Sequence, residues 1–253
     1  MSSASNPWER LKEFTDARIA LGRAGGSLKT AKLLGFRKDH ALAKDAVWAA
    51  LDLPVLQHGL EKLNLPYLML NSKAQDRETY IKRPDLGRNL NQESKATIAD
   101  SNPPAKDISI LIADGLSANA ISIHAIHFLK EFLPLIAQFT LAPICLVSQA
   151  RVAISDGIGE LFSSKLAIIL IGERPGLSSP HSMGIYLTYN PKAGNTDEKR
   201  NCISNIRAGG LPYAYAAGKL AFLTSEALRL KLSGVDLKDT YDTQLLTDGI
   251  GKQ

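Results

Sequence analysis

Glu173 and Arg174 close an apolar run in "KLAIILIGERPGLSSP" (165–180) and are followed by two prolines, a glycine and two serines. A carboxylate only accepts hydrogen bonds and a guanidinium only donates them. Side by side at the mouth of a strand, in a loop stiffened by Pro175 and Pro180, they are suited to grip a polar ligand. The plainer alternative is that Glu173 pairs with Arg174 or another base. Three further groups invite a chemical reading. Ser117 lies in "DGLSAN", which lacks the second glycine of a GxSxG nucleophile elbow, so its hydroxyl is expected to cap a helix. His124 and His127 are three residues apart with no acidic or thiol partner at a diagnostic spacing, and read as packing or surface residues rather than metal ligands. Cys145 and Cys202 are too far apart in sequence for a CxxC knuckle and are expected to be reduced.

Cofactor signatures narrow the field. The turn at Asp114 has one glycine where a dinucleotide fingerprint needs three, and no GxxxxGK followed by Ser or Thr occurs. Cobalamin proteins that replace the cofactor's own lower base with a histidine carry DxHxxG. "SPHSMG" matches at His181 and Gly184 but has Ser179 in place of the aspartate that would raise the imidazole's basicity, so the match is read as coincidence.

From Asp107 onward, short β-branched runs alternate with longer helical ones: "ISILIAD", "SANAISIHAIHFLKEFLPLIAQF", "PICLV", "VAISDGIGELFSS", "KLAIILIG", "GIYLTY" and a last helix from about 212 to 232, ended by Ser233 and Gly234. This alternation predicts an α/β fold with βαβ units and a mostly parallel sheet. Parallel strands put their C-termini on one edge, so the loops beginning "DGLSA", "SQARVA" and "GERPGLSS" are expected to rim one crevice. The first hundred residues read as helical and loop-rich. Trp8, Leu11, Phe14 and Ala17 are spaced for one helix face, and Asp39 is placed to cap a helix over "DHALAKDAVWAALD". Two adjacent prolines in "ADSNPPAKD" mark a boundary near 100–106. The expected division is a helical interaction region over 1–100 and a Rossmann-like domain over 107–253.

The 253 residues, 45% of them hydrophobic, suffice for a substantial core, and no run of eighteen apolar residues offers a membrane span. The start is too polar for a signal peptide, so a soluble cytoplasmic protein is expected. The net charge of +5 is concentrated early: residues 1–100 hold sixteen Lys and Arg against twelve Asp and Glu. Arg23, Lys29, Lys32, Arg37, Lys38 and Lys44 could meet an acidic surface or lie on a solvated helix face. Nucleic acid gains little support, with Phe36 the one aromatic among them.

Seven stretches in order, "FTDARIALGRAGGSLKT", "DHALAKDAV", "DRETYIKRPDLGR", "IADGLSANA", "IGERPGLSSP", "GIYLTY" and "RNCISNIRAGGLPY", together resemble the small (light) subunit of adenosylcobalamin-dependent ethanolamine ammonia-lyase, from about residue 8 to 238. The resemblance implies a subunit of a hetero-oligomer without catalytic side chains or a metal site of its own. The family's large subunit, a TIM barrel, binds ethanolamine and supplies the chemistry. Adenosylcobalamin is held base-on between the two subunits. Homolysis of its cobalt–carbon bond starts a radical rearrangement to acetaldehyde and ammonia. The cofactor contacts that carry over are Val152 in "ARVAISD", Glu173 in "GERPG" and Cys202 in "RNCISN". Ala150 stands where the pattern has glycine, and His181 where it often has an acidic residue. The family serves ethanolamine degradation, commonly inside a bacterial microcompartment. The competing reading is a self-contained α/β protein that uses the same crevice for a nucleotide or other small molecule.

Overall fold

A computed structural model of the chain describes residues 7–15, 17–101 and 104–242. It opens with a 3-10 turn (Pro7–Glu13) and a hairpin of β1 (Arg23–Ala24) and β2 (Ser27–Leu28). Then come α1 (Thr30–Trp48), α2 (Leu53–Lys62), β3 (Tyr67–Asn71), α3 (Arg77–Lys82) and α4 (Gln92–Asp100). The later part runs β4 (Ile108–Ala113), α5 (Ala118–Phe132), β5 (Ile144–Ser148), α6 (Ile154–Leu161) and β6 (Leu166–Gly172). It closes with β7 (Met183–Tyr189), β8 (Arg200–Ile206) and α7 (Tyr213–Leu230).

One six-stranded sheet organises these elements in the order β3-β5-β4-β6-β7-β8. The first four strands are parallel, and β7 and β8 continue antiparallel. The connection explains the switch. Only residues 173–182 separate β6 from β7, whereas a parallel return needs a crossover of a dozen or more residues, usually helical. Every residue of β4 and β6 is buried because helices cover both faces, which is why these strands read as continuous apolar runs rather than alternating ones. On one face α2, α5 and α7 close a core around Leu60, Ile110, Phe128, Ile168 and Leu220. On the other, α4 and α6 cover Leu111, Val147 and Ile169 with Ile98, Ile154 and Ile158. Each such aliphatic side chain contributes roughly 1.5 to 3 kcal/mol by its removal from water. α6 packs on β4 and β6 and reaches the end of β8 through Asp156, which pairs with Arg200; farther along the same face Tyr186 of β7 is half-buried and Cys202 of β8 exposed.

The α/β architecture matches expectation; several local features do not. β3 lies within the stretch read as helical and loop-rich, yet pairs in parallel with β5 from Tyr67 opposite Ile144 to Asn71 opposite Ser148. Its sequence, YLMLN, is a short edge strand with Met69 exposed, a weak alternation signal. Asp39 caps nothing. It sits inside α1, which begins at Thr30, and its carboxylate instead takes the Arg18 guanidinium. Trp8, Leu11 and Phe14 occupy or adjoin the 3-10 turn, and all three are exposed. Much of α1 is exposed too, including Leu33, Leu34, Phe36 and Leu42; its buried residue is Ala46, and the helix touches α5. α7 ends at Leu230, with Lys231 in the left-handed conformation (φ 59°), before the expected glycine.

Candidate functional site

The ends of β4, β5 and β6 meet as the topology requires, and the bonds that join them are specific. Asp114, the first residue after β4, is almost fully buried; its Oδ2 accepts from the Gln149 N–H at 2.8 Å and its Oδ1 from the Ala150 N–H at 2.9 Å. Arg77, on α3, joins the same knot: Nη1 donates to Asp114 at 3.1 Å, Nη2 to the Gly115 carbonyl at 2.8 Å and Nε to the Val47 carbonyl at 2.7 Å. Burial pushes the Asp114 carboxyl up, opposed by Arg77 and the two backbone N–H groups. Tyr80 completes the support. Its hydroxyl donates to the Ala150 carbonyl at 3.1 Å, and the guanidiniums of Arg77 and Arg151 both lie over its ring, 4.6 and 4.2 Å from the centroid. The turn carrying Val152 is thereby fixed from below. Ala150 is fully buried with a negative φ, so alanine satisfies this backbone without strain.

The loop after β6 is held as tightly. Leu116 N–H donates to the Gly172 carbonyl at 2.9 Å, and a Cβ on Gly115 (φ +55°) would stand 2.2 Å from that same oxygen, so the two loops touch backbone to backbone. Ser117 stands at the N-cap position of α5 but makes no cap bond; its hydroxyl donates to the Pro180 carbonyl at 2.8 Å. His124 Nε2 lies 3.0 Å from the His181 carbonyl, and the Glu173 N–H donates to the Ser182 carbonyl at 2.9 Å. Three consecutive carbonyls on the loop's returning arm thus each have a donor from a different place in the fold.

Glu173 itself lies back along the sheet. Its Oε2 accepts from Ser182 Oγ at 2.5 Å, and the Asn205 N–H is 3.3 Å away. The side chain crosses β7 above Gly184, where a Cβ would come within 2.9 Å of Oε1. Gly184 and Tyr186 share the face opposite Met183 and Ile185, and Tyr186 is the register partner of Cys202 on β8. α6 covers one end of this face through the Asp156–Arg200 pair, and Tyr186 stays half-buried beside Cys202. Cys202 is exposed, within hydrogen-bonding reach of the Tyr186 hydroxyl. Partial burial and the Glu173 carboxylate push its thiol up, against the pull of that hydroxyl. Burial, then the neighbouring Cys202, likewise raises the Tyr186 phenol. The site keeps a neutral thiol and a neutral phenol beside one carboxylate.

Two of the three expected contact residues, Glu173 and Cys202, therefore come together on β6–β8. Val152 occupies the turn before α6, half buried against the apolar cluster that also receives Tyr186. Sequence reasoning missed Ser182, Gly184, Tyr186 and Asn205, which shape the surroundings of Glu173. Gly184 had a visible signal as a glycine in an otherwise bulky strand, whereas Asn205 acts through its backbone and had none. Arg174 is exposed and does not engage Glu173 among the described contacts.

The comparisons with known proteins converge on one family. A family profile described as "Ethanolamine ammonia-lyase light chain (EutC)" matches residues 5–238. The chain belongs to the ethanolamine ammonia-lyase light-chain family. It is 50% identical over 254 residues to the ethanolamine ammonia-lyase small subunit of Azotobacter vinelandii, covering 98% of this chain and 94% of that protein. It is likewise 50% identical over 246 residues to the small subunit of Pseudomonas putida KT2440, covering 95% and 90%. The small subunit of Xanthomonas campestris pv. campestris is 49% identical over 255 residues, covering 97% and 94%. The light chain of this family is a subunit of a lyase. Among the described residues no helix is long and apolar enough to cross a membrane.

Proposed function

We propose that this chain is the small subunit of a hetero-oligomeric ethanolamine ammonia-lyase, and that its patch of Glu173, Tyr186 and Cys202 contributes part of an adenosylcobalamin site completed by the large subunit. The observation that carries the reading is the Glu173 carboxylate, fixed by Ser182 and Asn205 over Gly184 and beside the exposed Cys202. The residues fit the group. A corrin rim carries primary amides, which need acceptors, and Glu173 retains lone pairs beyond those used by Ser182 and Asn205. Gly184 leaves room for the carboxylate to lie flat, and the exposed Cys202 offers a small, neutral, weakly polar surface. Val152 adds an apolar contact from the neighbouring turn. When bound, the cofactor supplies the radical that starts conversion of ethanolamine to acetaldehyde and ammonia. This chain's residues bind and orient it and exclude water, with the ethanolamine site in the large subunit.

The exposed apolar residues of the N-terminal 7–48 stretch fit an assembly surface in the same reading, with the basic residues of α1 facing the partner or solvent. Residence in the cytoplasm, and enclosure within a bacterial microcompartment, accompany the proposal. Glu173→Gln tests it in the complex with the large subunit. The variant keeps size and one acceptor oxygen but loses the charge, and should weaken adenosylcobalamin binding by roughly 1 to 3 kcal/mol, the range for hydrogen bonds to charged groups. An unchanged dissociation constant would remove Glu173 from the site.

A further inference from the structure

His124 is a buried histidine that the proposed chemistry leaves without a task. It sits in the middle of α5 at 4% exposure, with both ring nitrogens engaged: Nδ1 is 2.6 Å from the Tyr213 hydroxyl, and Nε2 is 3.0 Å from the His181 carbonyl. A carbonyl only accepts, so Nε2 carries the proton and Nδ1 accepts from Tyr213. The hydroxyl of one helix therefore fixes the tautomer that lets another hold a loop. His127, three residues on, stacks against the Tyr213 ring with centroids 6.1 Å apart and planes 14° from parallel, which holds the phenol in place. Burial lowers the His124 pKa, so the ring stays neutral and keeps this donor–acceptor order.

The carbonyl it holds is one residue from Ser182, whose hydroxyl donates to Glu173 Oε2. Ser117, His124 and the Glu173 N–H take the carbonyls of 180, 181 and 182 in turn, so the chain between Pro180 and Ser182 has its direction set peptide by peptide. A rotation of the middle peptide would move Ser182 Oγ away from the carboxylate. We propose that His124 is a positioning residue: by holding the His181 carbonyl it fixes the loop 173–182, and through Ser182 it fixes the direction in which Glu173 presents its carboxylate to the cofactor. The inference rests on the reading of Glu173 as a cofactor contact and adds the device that aims it.

The test uses the complex with the large subunit and three substitutions. His124→Leu removes the donor, and His124→Asn keeps an amide that reaches toward Tyr213 but not the carbonyl. His124→Gln places an amide N–H near the position of Nε2. Leu and Asn should each speed amide exchange of the peptide covering 173–182 and raise the adenosylcobalamin dissociation constant about tenfold, the scale of one lost buried hydrogen bond. Gln should restore both, and KM for ethanolamine should stay put throughout. In a Glu173→Gln background the His124 substitutions should add no further loss of cofactor affinity. Unchanged exchange in Leu and Asn, failure of Gln to restore it, or losses that simply add in the double variants would overturn the proposal. If Leu does not fold, Asn against Gln decides the matter. Should Glu173→Gln alone leave cofactor affinity unchanged, the reading of Glu173 falls, while the exchange data still judge whether His124 fixes the loop.

Discussion

At the scale of single residues, this protein sets carboxylates by surrounding them with donors, and Asp107 shows the effect most cleanly. It precedes β4 and accepts from Lys165 Nζ at 2.8 Å and from the N–H and hydroxyl of Thr140 at 2.9 and 2.8 Å. The Lys165 bond, followed by the Thr140 backbone, holds its pKa down to about 2. A carboxyl depressed in the folded state stabilises above its unfolded pKa and loses that contribution as pH falls through the folded one. Asp107→Asn should therefore cost roughly 1 to 2 kcal/mol at neutral pH, with the gap to wild type closing as pH drops from about 4 toward 2. Urea unfolding of both proteins across that range measures it. Glu173 is likewise met by donors, the Ser182 hydroxyl and the Asn205 N–H, and here the sequence was partly legible. Its place after an apolar run and before prolines marked it as a strand-end acceptor, and "RNCISN" with "GERPG" carried the family likeness. What could not be read was which donors would meet it, because Ser182 and Asn205 approach through tertiary structure. The hydroxyl of Ser117 went to Pro180 rather than to its own helix for the same reason: a carbonyl nearby in space outcompeted the local cap.

At the scale of elements, short ties between neighbours decide where loops lie. Arg200 on β8 and Asp156 on α6 form a two-bond ion pair, Nη1 to Oδ1 at 2.9 Å and Nη2 to Oδ2 at 2.7 Å, with both side chains 2% exposed. It fastens the end of the sheet to the helix that follows the Val152 turn. Removing one partner strands a charge in the interior, so Arg200→Met should destabilise by about 3 to 5 kcal/mol, and adding Asp156→Leu should recover much of the loss. Denaturant titration of the two variants compares them directly; a double variant no more stable than the single would refute the account. The central strands β4, β5 and β6 were legible because burial on both faces forces unbroken apolar runs. β3 was not, since an edge strand with one exposed side needs little apolar sequence, and its pairing with β5 joins residues far apart in the chain. β8 was hidden in the same way. RNCISNI buries Arg200, Ile203 and Ile206 but exposes Cys202, Ser204 and Asn205, a pattern broken by the irregular register with β7. The start of α1 was misplaced because Lys29 precedes it without a side-chain cap, leaving Asp39 as the more conspicuous signal.

At the scale of the whole molecule, the protein divides into a well-buried sheet with its helices and an N-terminal stretch that buries little of its apolar surface on this chain. The chain contains two tryptophans, Trp8 and Trp48, at the two ends of that stretch, and they are 64% and 50% exposed. No tryptophan reports on the core. Tryptophan emission from this subunit is therefore a signal of the N-terminal stretch alone, which is proposed above as the assembly surface: in the free chain it should have a long-wavelength maximum and ready iodide quenching. On addition of a large subunit whose own tryptophans have been replaced by phenylalanine, the maximum should move to shorter wavelength and quenching should fall. Emission that does not respond while the subunits co-elute would place the N-terminal stretch outside the contact. With such a partner in hand, the subunit carries its own optical probe for the rate and order of assembly, with no label attached.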